Sequence, residues 1–293
     1  MSMLEDYRNH MERYNHLMAN KMFARFNARQ GLLYHKPFQM FGNLYYVGDS
    51  FVCAHLVDTG DGLLLFDAVN TGQGGMLIHA IWEMGFNPAD IKWLVLSHGH
   101  VDHIGQAQFL KDMFGCKIYL GAPDAKMFRE HPERSFIQGS QDVTDVLFEP
   151  DVEIHDGDVI KFGNTEVKFI MVPGHSDGVL AAFFDITDGK ETKRAGYHGG
   201  FGFNTLTKDY LAEIGDVEFK TRQIYLDSLA KVRNEHVDVF MGNHPVNNDM
   251  IRKYDEMIAN PGTNPFVDDT AWGQYLDQKR DELIAFMNDP KNN

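Results

Sequence analysis

The 293-residue chain has very few cysteines. Its two cysteines, Cys53 and Cys116, stand in or beside strand-like apolar segments and form no CxxC pair. Small secreted proteins that depend on disulfides carry a much denser cysteine framework. The two thiols are therefore better interpreted as small buried apolar groups in a reducing compartment.

Basic residues are scarce relative to acidic ones. The chain has 27 Lys and Arg against 42 Asp and Glu, which gives a net charge of −15. Binding to nucleic acid or to an anionic membrane surface uses clusters of Lys and Arg, and no such cluster is visible here. We therefore expect neither partner, and nucleases are disfavoured.

Long apolar runs are also missing. No stretch approaches the roughly 20 apolar residues that span a bilayer. The N-terminal segment, MSMLEDYRNHMERYNHLM, carries charge throughout and lacks the apolar centre of a secretion signal. With 43% hydrophobic and 24% charged residues, the composition is that of an ordinary globular protein. The sequence predicts a cytoplasmic protein.

The chain does contain an unusual run of metal-ligand residue types, WLVLSHGHVDHIG at 93–105. A short apolar strand leads there into His98, His100, Asp102 and His103. Imidazole and carboxylate are ligands that zinc, iron and manganese prefer. Residues two apart in an extended turn point the same way, so the first two histidines can share one metal. The other two residues would face a neighbouring point, and the spacing predicts two half-sites side by side.

Two later strand ends supply further histidines. His175 follows the apolar strand 167–172 in a PGHS turn, and His244 follows the strand 237–241 in a GNHP turn. Either one alone would be typical of an exposed turn, but beside the cluster at 98–103 both are predicted ligands. His198 lies in a glycine-rich segment, GYHGGFGF, which we predict approaches the metals.

The remaining pattern predicts one main domain with an N-terminal extension. Residues 3–26 form an amphipathic helix whose apolar stripe packs on the main body, contacts a second copy or covers the site. We assign residues 1–30 to this extension and 31–293 to a catalytic domain. Two strand-rich blocks, 38–120 and 152–244, each carry helices, which predicts two sheets packed face to face with helices outside.

The segments LLLFDAV, SHGHVDHIG, PGHS and GNHP, in this order, resemble the metallo-β-lactamase-fold superfamily over residues 40–250. The resemblance implies an α/β (α+β) fold, the αββα sandwich of two mixed sheets, with a dinuclear metal site at one edge. It implies that His98, His100 and His175 bind the first metal, and that Asp102, His103 and His244 bind the second. Asp67 would orient the ligand loop by hydrogen bonds.

One departure from the superfamily pattern narrows the resemblance to a single subclass. Thioesterases, lactonases and phosphodiesterases of this superfamily have a metal-bridging Asp at a position that here falls in residues 195–201, which contain no carboxylate. The metallo-β-lactamases lack that Asp as well. The chain therefore resembles their di-zinc subclass with only His and Asp ligands, although it lacks the secretion signal usual for resistance enzymes.

These features predict a zinc-dependent hydrolase of a small molecule. A water shared by two Zn²⁺ ions, with Fe or Mn as other candidates, would ionise near neutral pH. The hydroxide would attack an amide or lactam, ester or lactone carbonyl, and β-lactams are candidate substrates. Asp102 would hold or relay the proton, and Tyr197 or His198 would donate a hydrogen bond to the oxyanion.

Three alternatives stay open. The first is a hydrolase of thioesterase or lactonase type. The second is a non-haem iron redox enzyme of the same fold, although diiron members generally have Glu where His100 stands and persulfide dioxygenases need the missing Asp. The third is a metal-binding module without catalysis, which a six-ligand set disfavours because structural zinc sites are usually four-coordinate.

Overall fold

A computed structural model describes residues 30–136 and 147–292, and these fold into two β-sheets packed face to face between helices. The predicted α/β sandwich is confirmed, and both sheets contain parallel and antiparallel strand pairs. The N-terminal helix predicted at 3–26 lies outside the described residues, so its proposed roles, including oligomerisation, stay predictions. No helix in the described ranges is long and apolar enough to cross a bilayer.

The first sheet has seven described strands that lie in chain order. They are β1 (Phe38–Phe41), β2 (Leu44–Tyr46), β3 (His55–Asp58), β4 (Leu63–Phe66), β5 (Ile91–Val95), β6 (Lys117–Gly121) and β7 (Val152–Ile154). Strands β1 to β4 are antiparallel neighbours, whereas β4 to β7 pair in parallel. Because parallel strands end at the same edge of a sheet, the loops after β4 and β5 lie side by side.

The second sheet has five described strands in the order β12-β11-β10-β9-β8. They are β8 (Val159–Phe162), β9 (Thr165–Met171), β10 (Leu180–Thr187), β11 (Thr192–His198) and β12 (Val239–Gly242). Strands β8 to β11 are antiparallel, and β12 joins β11 in parallel. Strands β11 and β12 therefore also end at a common edge.

Helices lie on the outer faces and at the edges of the two sheets. In the described ranges they are α1 (Gly74–Glu83), α2 (Val101–Ile104), α3 (Ala107–Phe114), α4 (Ala122–Glu130), α5 (Lys208–Glu213), α6 (Lys220–Val232), α7 (Met250–Ala259) and α8 (Ala271–Asn288). Leu77 of α1 and Leu110 of α3 pack on the first sheet. Leu229 of α6 and Trp272 of α8 pack on the second sheet.

Successive side chains along a strand pack alternately between the two sheets and against the outer helices. In β10, Phe184 faces the first sheet and stacks on Phe66 of β4 with ring centroids 5.3 Å apart. Its neighbour Phe183 points the opposite way, toward α8, where it contacts Trp272 at 5.4 Å. Successive side chains of a strand point to opposite faces, so one strand contributes to two cores.

Two local expectations differ from the structure. The strand at 152–154 is expected in the second block, but it pairs with β6 and completes the first sheet. The glycine-rich segment 196–203 is only partly a loop, because its first three residues, which end at His198, belong to strand β11. Pairing between strands distant in sequence outweighs local propensity in both cases.

Candidate metal centre

All six predicted ligands lie at one edge of the sandwich, four in loops and two in the short helix α2. Four of them, His98 to His103, follow β5 and extend into α2, while His244 follows β12. His175 lies in the loop between β9 and β10. The structure therefore brings together three segments that are widely separated in the chain.

The first group contains His98, His100 and His175. Nε2 of His98 lies 3.0 Å from Nδ1 of His100, and that Nδ1 lies 3.0 Å from Nε2 of His175. All three side chains are buried, with at most 8% of their surface exposed. Their ligand atoms lie within 4.8 Å of one another, a spacing that could hold a metal ion.

The second group contains Asp102, His103 and His244. Nε2 of His103 lies 3.3 Å from Nε2 of His244. Oδ2 of Asp102 lies 3.6 Å from the first of these nitrogens and 3.5 Å from the second. The two groups are adjacent, since the rings of His98 and His103 are 4.3 Å apart. These are the same two sets that the sequence pairs; that they bind metal is a prediction.

The contacts of the Nδ1 atoms determine which ring nitrogen carries the proton in His175 and His244. Nδ1 of His175 lies 2.9 Å from the carbonyl of Gly202, and Nδ1 of His244 lies 2.6 Å from the carbonyl of Phe51. Carbonyl oxygens only accept, so both rings carry their proton on Nδ1. Nε2 of each ring therefore offers an unprotonated lone pair to its group, which is the state that metal binding requires.

The same argument applies to His98. The hydroxyl of Ser97 donates to Oδ2 of Asp67 at 2.9 Å, so its oxygen accepts from Nδ1 of His98 at 3.1 Å. Nε2 of His98 then also presents a lone pair. The lone pairs on Nε2 of His98 and of His175 both converge on Nδ1 of His100, which carries at most one proton. A cation bound among the three nitrogens would satisfy all of them. The donor set therefore fits a metal ion in the first group.

The electrostatics of the two groups differ. Burial, and then the neighbouring imidazoles, hold the pKa of His98 well below its usual value, and burial lowers the pKa of His175 to about 4. In the second group burial also disfavours the charged form of His103, but the carboxylates of Asp102 and Asp67 outweigh it and raise its pKa. A cation binding to the second group would therefore compete with a proton.

Asp67 connects both groups. Its carboxylate accepts hydrogen bonds from Ser97 N at 2.7 Å, from the hydroxyl of Ser97, from Nδ1 of His103 at 2.7 Å and from the hydroxyl of Tyr197 at 2.5 Å. Its backbone has φ +62°, in the left-handed region that Asp and Asn tolerate better than most residues. Its placement agrees with the predicted orienting role.

The loop after Asp67 is held against the loop that carries the ligands. Ala68 N donates to the carbonyl of His103 at 2.7 Å, and Gly105 N donates to the carbonyl of Val69 at 2.9 Å. A Cβ at Gly105 would lie 2.2 Å from Thr71 N, so only glycine allows this approach. The glycine that ends the HxHxDH run is thus required by backbone packing.

Asp124 is a site residue that the sequence did not reveal. This buried carboxylate accepts from Gly99 N at 2.7 Å, from the hydroxyl of Ser176 at 2.7 Å and from Gly178 N at 2.8 Å. It therefore joins the loop of His98 and His100 to the loop of His175. Burial raises its pKa to about 6. Its only sequence signal was an acid in the first turn of a helix, which is common.

Asp49 supports the second group in a similar way. Its Oδ1 accepts from the N–H groups of Phe51 and Val52, both at 2.7 Å, and so shapes the loop whose Phe51 carbonyl orients His244. Burial raises the pKa of Asp49 to about 6. The sequence showed only a Gly-Asp turn at this position.

Tyr197 and His198 do not occupy the predicted positions. Both lie at the end of β11 and are 1% exposed. The hydroxyl of Tyr197 is committed to Asp67, so it supports that carboxylate instead of facing an oxyanion. The ring of His198 stacks on Phe201 at 4.0 Å, on the opposite face of the strand. Neither residue is among those that line the cavity over the two groups, so the structure does not bring either hydrogen-bond donor to a substrate there.

The buried imidazole of His198 makes the protein sensitive to acid. Burial lowers its pKa to about 3, so between pH 6.5 and 3 the unfolded chain binds the proton that the folded chain excludes. Its contribution to stability is therefore present above pH 6.5 and is lost as the pH falls, at about 1.4 kcal/mol per pH unit.

We expect the free energy of unfolding of His198→Leu to depend less steeply on pH than that of wild type. The difference in slope should be the contribution of one proton. Urea unfolding of metal-free wild type and variant between pH 4.5 and 7 measures it. Parallel stability profiles for the two proteins would contradict the prediction.

A cavity of about 540 Å³ lies over the two groups. His100, Asp102, His175 and His244 contribute to its floor, and its walls include the aromatic rings and polar side chains of Phe51, Phe136, Phe201, Asn204, Asn247 and Lys279. Its size is that of a small-molecule site.

The chain is similar to metallo-β-lactamases in both sequence and structure. The model of the metallo-β-lactamase superfamily matches residues 47–187. The subclass B3 metallo-β-lactamase BJP-1 of Bradyrhizobium japonicum is 26% identical, with a TM-score of 0.73 over 89% of this chain and 96% of that chain. The native FEZ-1 metallo-β-lactamase of Legionella gormanii is 25% identical, with a TM-score of 0.76 over 88% and 98% of the two chains.

Curated relatives match over shorter stretches. A hydroxyacylglutathione hydrolase of Haemophilus influenzae, GloC, is 29% identical over 147 residues, which is 49% of this chain and 67% of that protein. An uncharacterised protein of Aquifex aeolicus is 36% identical over 90 residues, and the match spans 42% of its length. These matches therefore cover only part of the relatives' lengths.

Proposed function

Since the chain contains a domain of the metallo-β-lactamase superfamily, we propose that it is a metal-dependent hydrolase of small acyl compounds. The centre would be dinuclear, with one ion in the first group and one in the second. The observation that carries this proposal is the fixed protonation of the rings: His98, His175 and His244 each direct an unprotonated nitrogen inward.

Metal ions bound there would supply Lewis acidity toward an acyl carbonyl and toward water. The protein's own groups hold the reacting partners in place. Asp102 is the carboxylate among the six predicted ligands and lines the cavity, so it is placed to hold a water molecule and to take its proton. The rings of Phe51, Phe136 and Phe201 limit access of bulk water to the scissile bond.

Zinc is the proposed metal. Imidazole and carboxylate donors suit zinc well. Iron and manganese accept the same donors. Bound iron together with oxygen consumption would favour the redox alternative.

Two substrate classes are supported by the relatives. The lactamases among the structural neighbours favour hydrolysis of a lactam, and FEZ-1 and BJP-1 match nearly their whole length. Relatives named hydroxyacylglutathione hydrolases favour a thioester instead. A lactone is a third candidate, because the same attack on a carbonyl opens it.

Metal analysis combined with a substrate panel tests the proposal. We expect the purified protein to bind two zinc ions per chain, and the zinc-loaded protein to cleave at least one of nitrocefin, an acyl lactone and an acyl thioester. A chelator should abolish turnover, and added zinc should restore it. Full metal occupancy without turnover of any panel member would favour the non-catalytic alternative.

A further inference from the structure

A second, narrower space lies beside the first group. A cleft of about 30 Å³ is lined by His100 and His175 on one side and by Arg134 and Tyr210 on the other. His100 and His175 also line the main cavity. A ligand whose carbonyl lies at the first group can therefore extend a short branch into this cleft.

Arg134 differs from the neighbouring cations. Arg129 forms ion pairs with Glu149 and Glu153, and Lys126 lies 3.7 Å from Glu130. The guanidinium of Arg134 has no ion pair or side-chain hydrogen bond with any group in the described ranges. It lines both the cleft and a larger groove outside it. A planar cation with free donors suits a carboxylate, which it can bind through two parallel hydrogen bonds.

Tyr210 presents a second free donor. Its hydroxyl has no hydrogen-bond partner among residues 30–136 and 147–292, and burial raises its pKa to about 12, so the group keeps its proton. The ring of Phe136 lies 4.8 Å from that of His100 and 5.9 Å from that of Tyr210. Phe136 has φ +60° and directly follows the 3-10 helix Pro132–Ser135 that carries Arg134. This short segment thus links the first group to the two donors.

We propose that Arg134 and Tyr210 bind a carboxylate of the substrate, so that the preferred substrate is an acyl compound with an anionic branch. The proposal rests on the proposed hydrolase function. It assigns the anion to the cleft and the scissile carbonyl to the cavity floor at His100 and His175.

The other cation of the main cavity is less suited to this role. Lys279 is already paired with Glu282 at 2.8 Å, and its ammonium lies over the rings of Phe203 and Tyr275. Asp177 shares the cleft with Arg134 and opposes an incoming anion. Asp177→Asn should therefore lower KM for an anionic substrate a few-fold, by about the strength of one partly screened charge pair.

A pair of substrates that differ only in charge tests the subsite. Glutaryl and pentanoyl compounds have the same chain length, and only the first ends in a carboxylate. They are compared in whichever ester, thioester or amide linkage the zinc-loaded protein cleaves. Arg134→Met should reduce kcat/KM for the glutaryl compound about 10- to 100-fold, mainly through KM, and leave the pentanoyl compound nearly unchanged.

Further variants test whether the charge, the planar guanidinium or the position of Arg134 matters. Arg134→Lys should recover part of the preference, because it keeps the charge but loses the planar fork, and Tyr210→Phe should lose a smaller part. Lys190→Met removes one positive charge from the hairpin at the far end of β10 and β11, and should change neither substrate. Equal loss for both substrates in Arg134→Met would overturn the proposal.

A binding measurement separates this inference from the proposed function. If no compound is cleaved, the hydrolase proposal fails, and calorimetric titration of the zinc-loaded protein with glutarate then decides the subsite. An affinity for glutarate that falls at least 10-fold in Arg134→Met supports the subsite, because any binding of glutarate to the metals contributes equally in both proteins. Equal affinity in wild type and Arg134→Met overturns it.

Discussion

Replacing His175 with alanine should remove about one of two bound metal ions per chain and leave the fold intact. Its Nε2 completes the first group, 3.0 Å from Nδ1 of His100, and His103, whose ring lies 4.3 Å from that of His98, is already engaged in the second group. The ring lies in the loop between β9 and β10 and belongs to no strand or helix, so its loss should leave both sheets intact. Zinc content by mass spectrometry and thermal unfolding measure the two effects.

Turnover of the panel substrate should fall at least ~100-fold in this variant, because even changes to groups that only orient ligands cost 10- to 100-fold. The exposed His236 is the matched control, and His236→Ala should retain metal and activity. Normal zinc content in His175→Ala would refute the assignment of the first group.

Asp67→Asn should weaken metal binding in the second group about 10- to 100-fold. The carboxylate accepts four hydrogen bonds, including the one that fixes the ring of His103 at 2.7 Å. An amide has a single acceptor oxygen, so it cannot satisfy these donors together. Asparagine tolerates the left-handed backbone at φ +62°, which separates loss of the carboxylate from backbone strain.

The same change should destabilise the protein by about 3 kcal/mol, since buried donors lose an ionised acceptor. Equilibrium dialysis measures the affinity for zinc, and urea unfolding of the metal-free protein measures the free energy of unfolding. Tyr197→Phe is the control within this network, because it removes one of the four donors and keeps the carboxylate. Wild-type zinc affinity in Asp67→Asn would show that Asp67 does not act on the second group.

The sequence alone identified which side chains would converge. His98, His100, Asp102 and His103 lie within six residues, so local chain geometry places them together in any compact fold. His175 and His244 were found because each follows an apolar strand and lies in a small turn. That rule works because β9 and β12 run in the same direction in the second sheet, so both strands end at the same edge. The layering of two sheets between helices followed from the two strand-rich blocks, each of which carries helices.

Only the tertiary structure decided what holds these side chains in place. The proton positions of His175 and His244 depend on the carbonyls of Gly202 and Phe51, which lie 27 and 193 residues away. Asp124, which joins two ligand loops, carries no local pattern that distinguishes it from other acids. Strand pairing likewise placed 152–154 in the first sheet and turned Tyr197 toward Asp67. Periodicity gives the face of a strand that is buried, whereas its partner depends on contacts between distant segments.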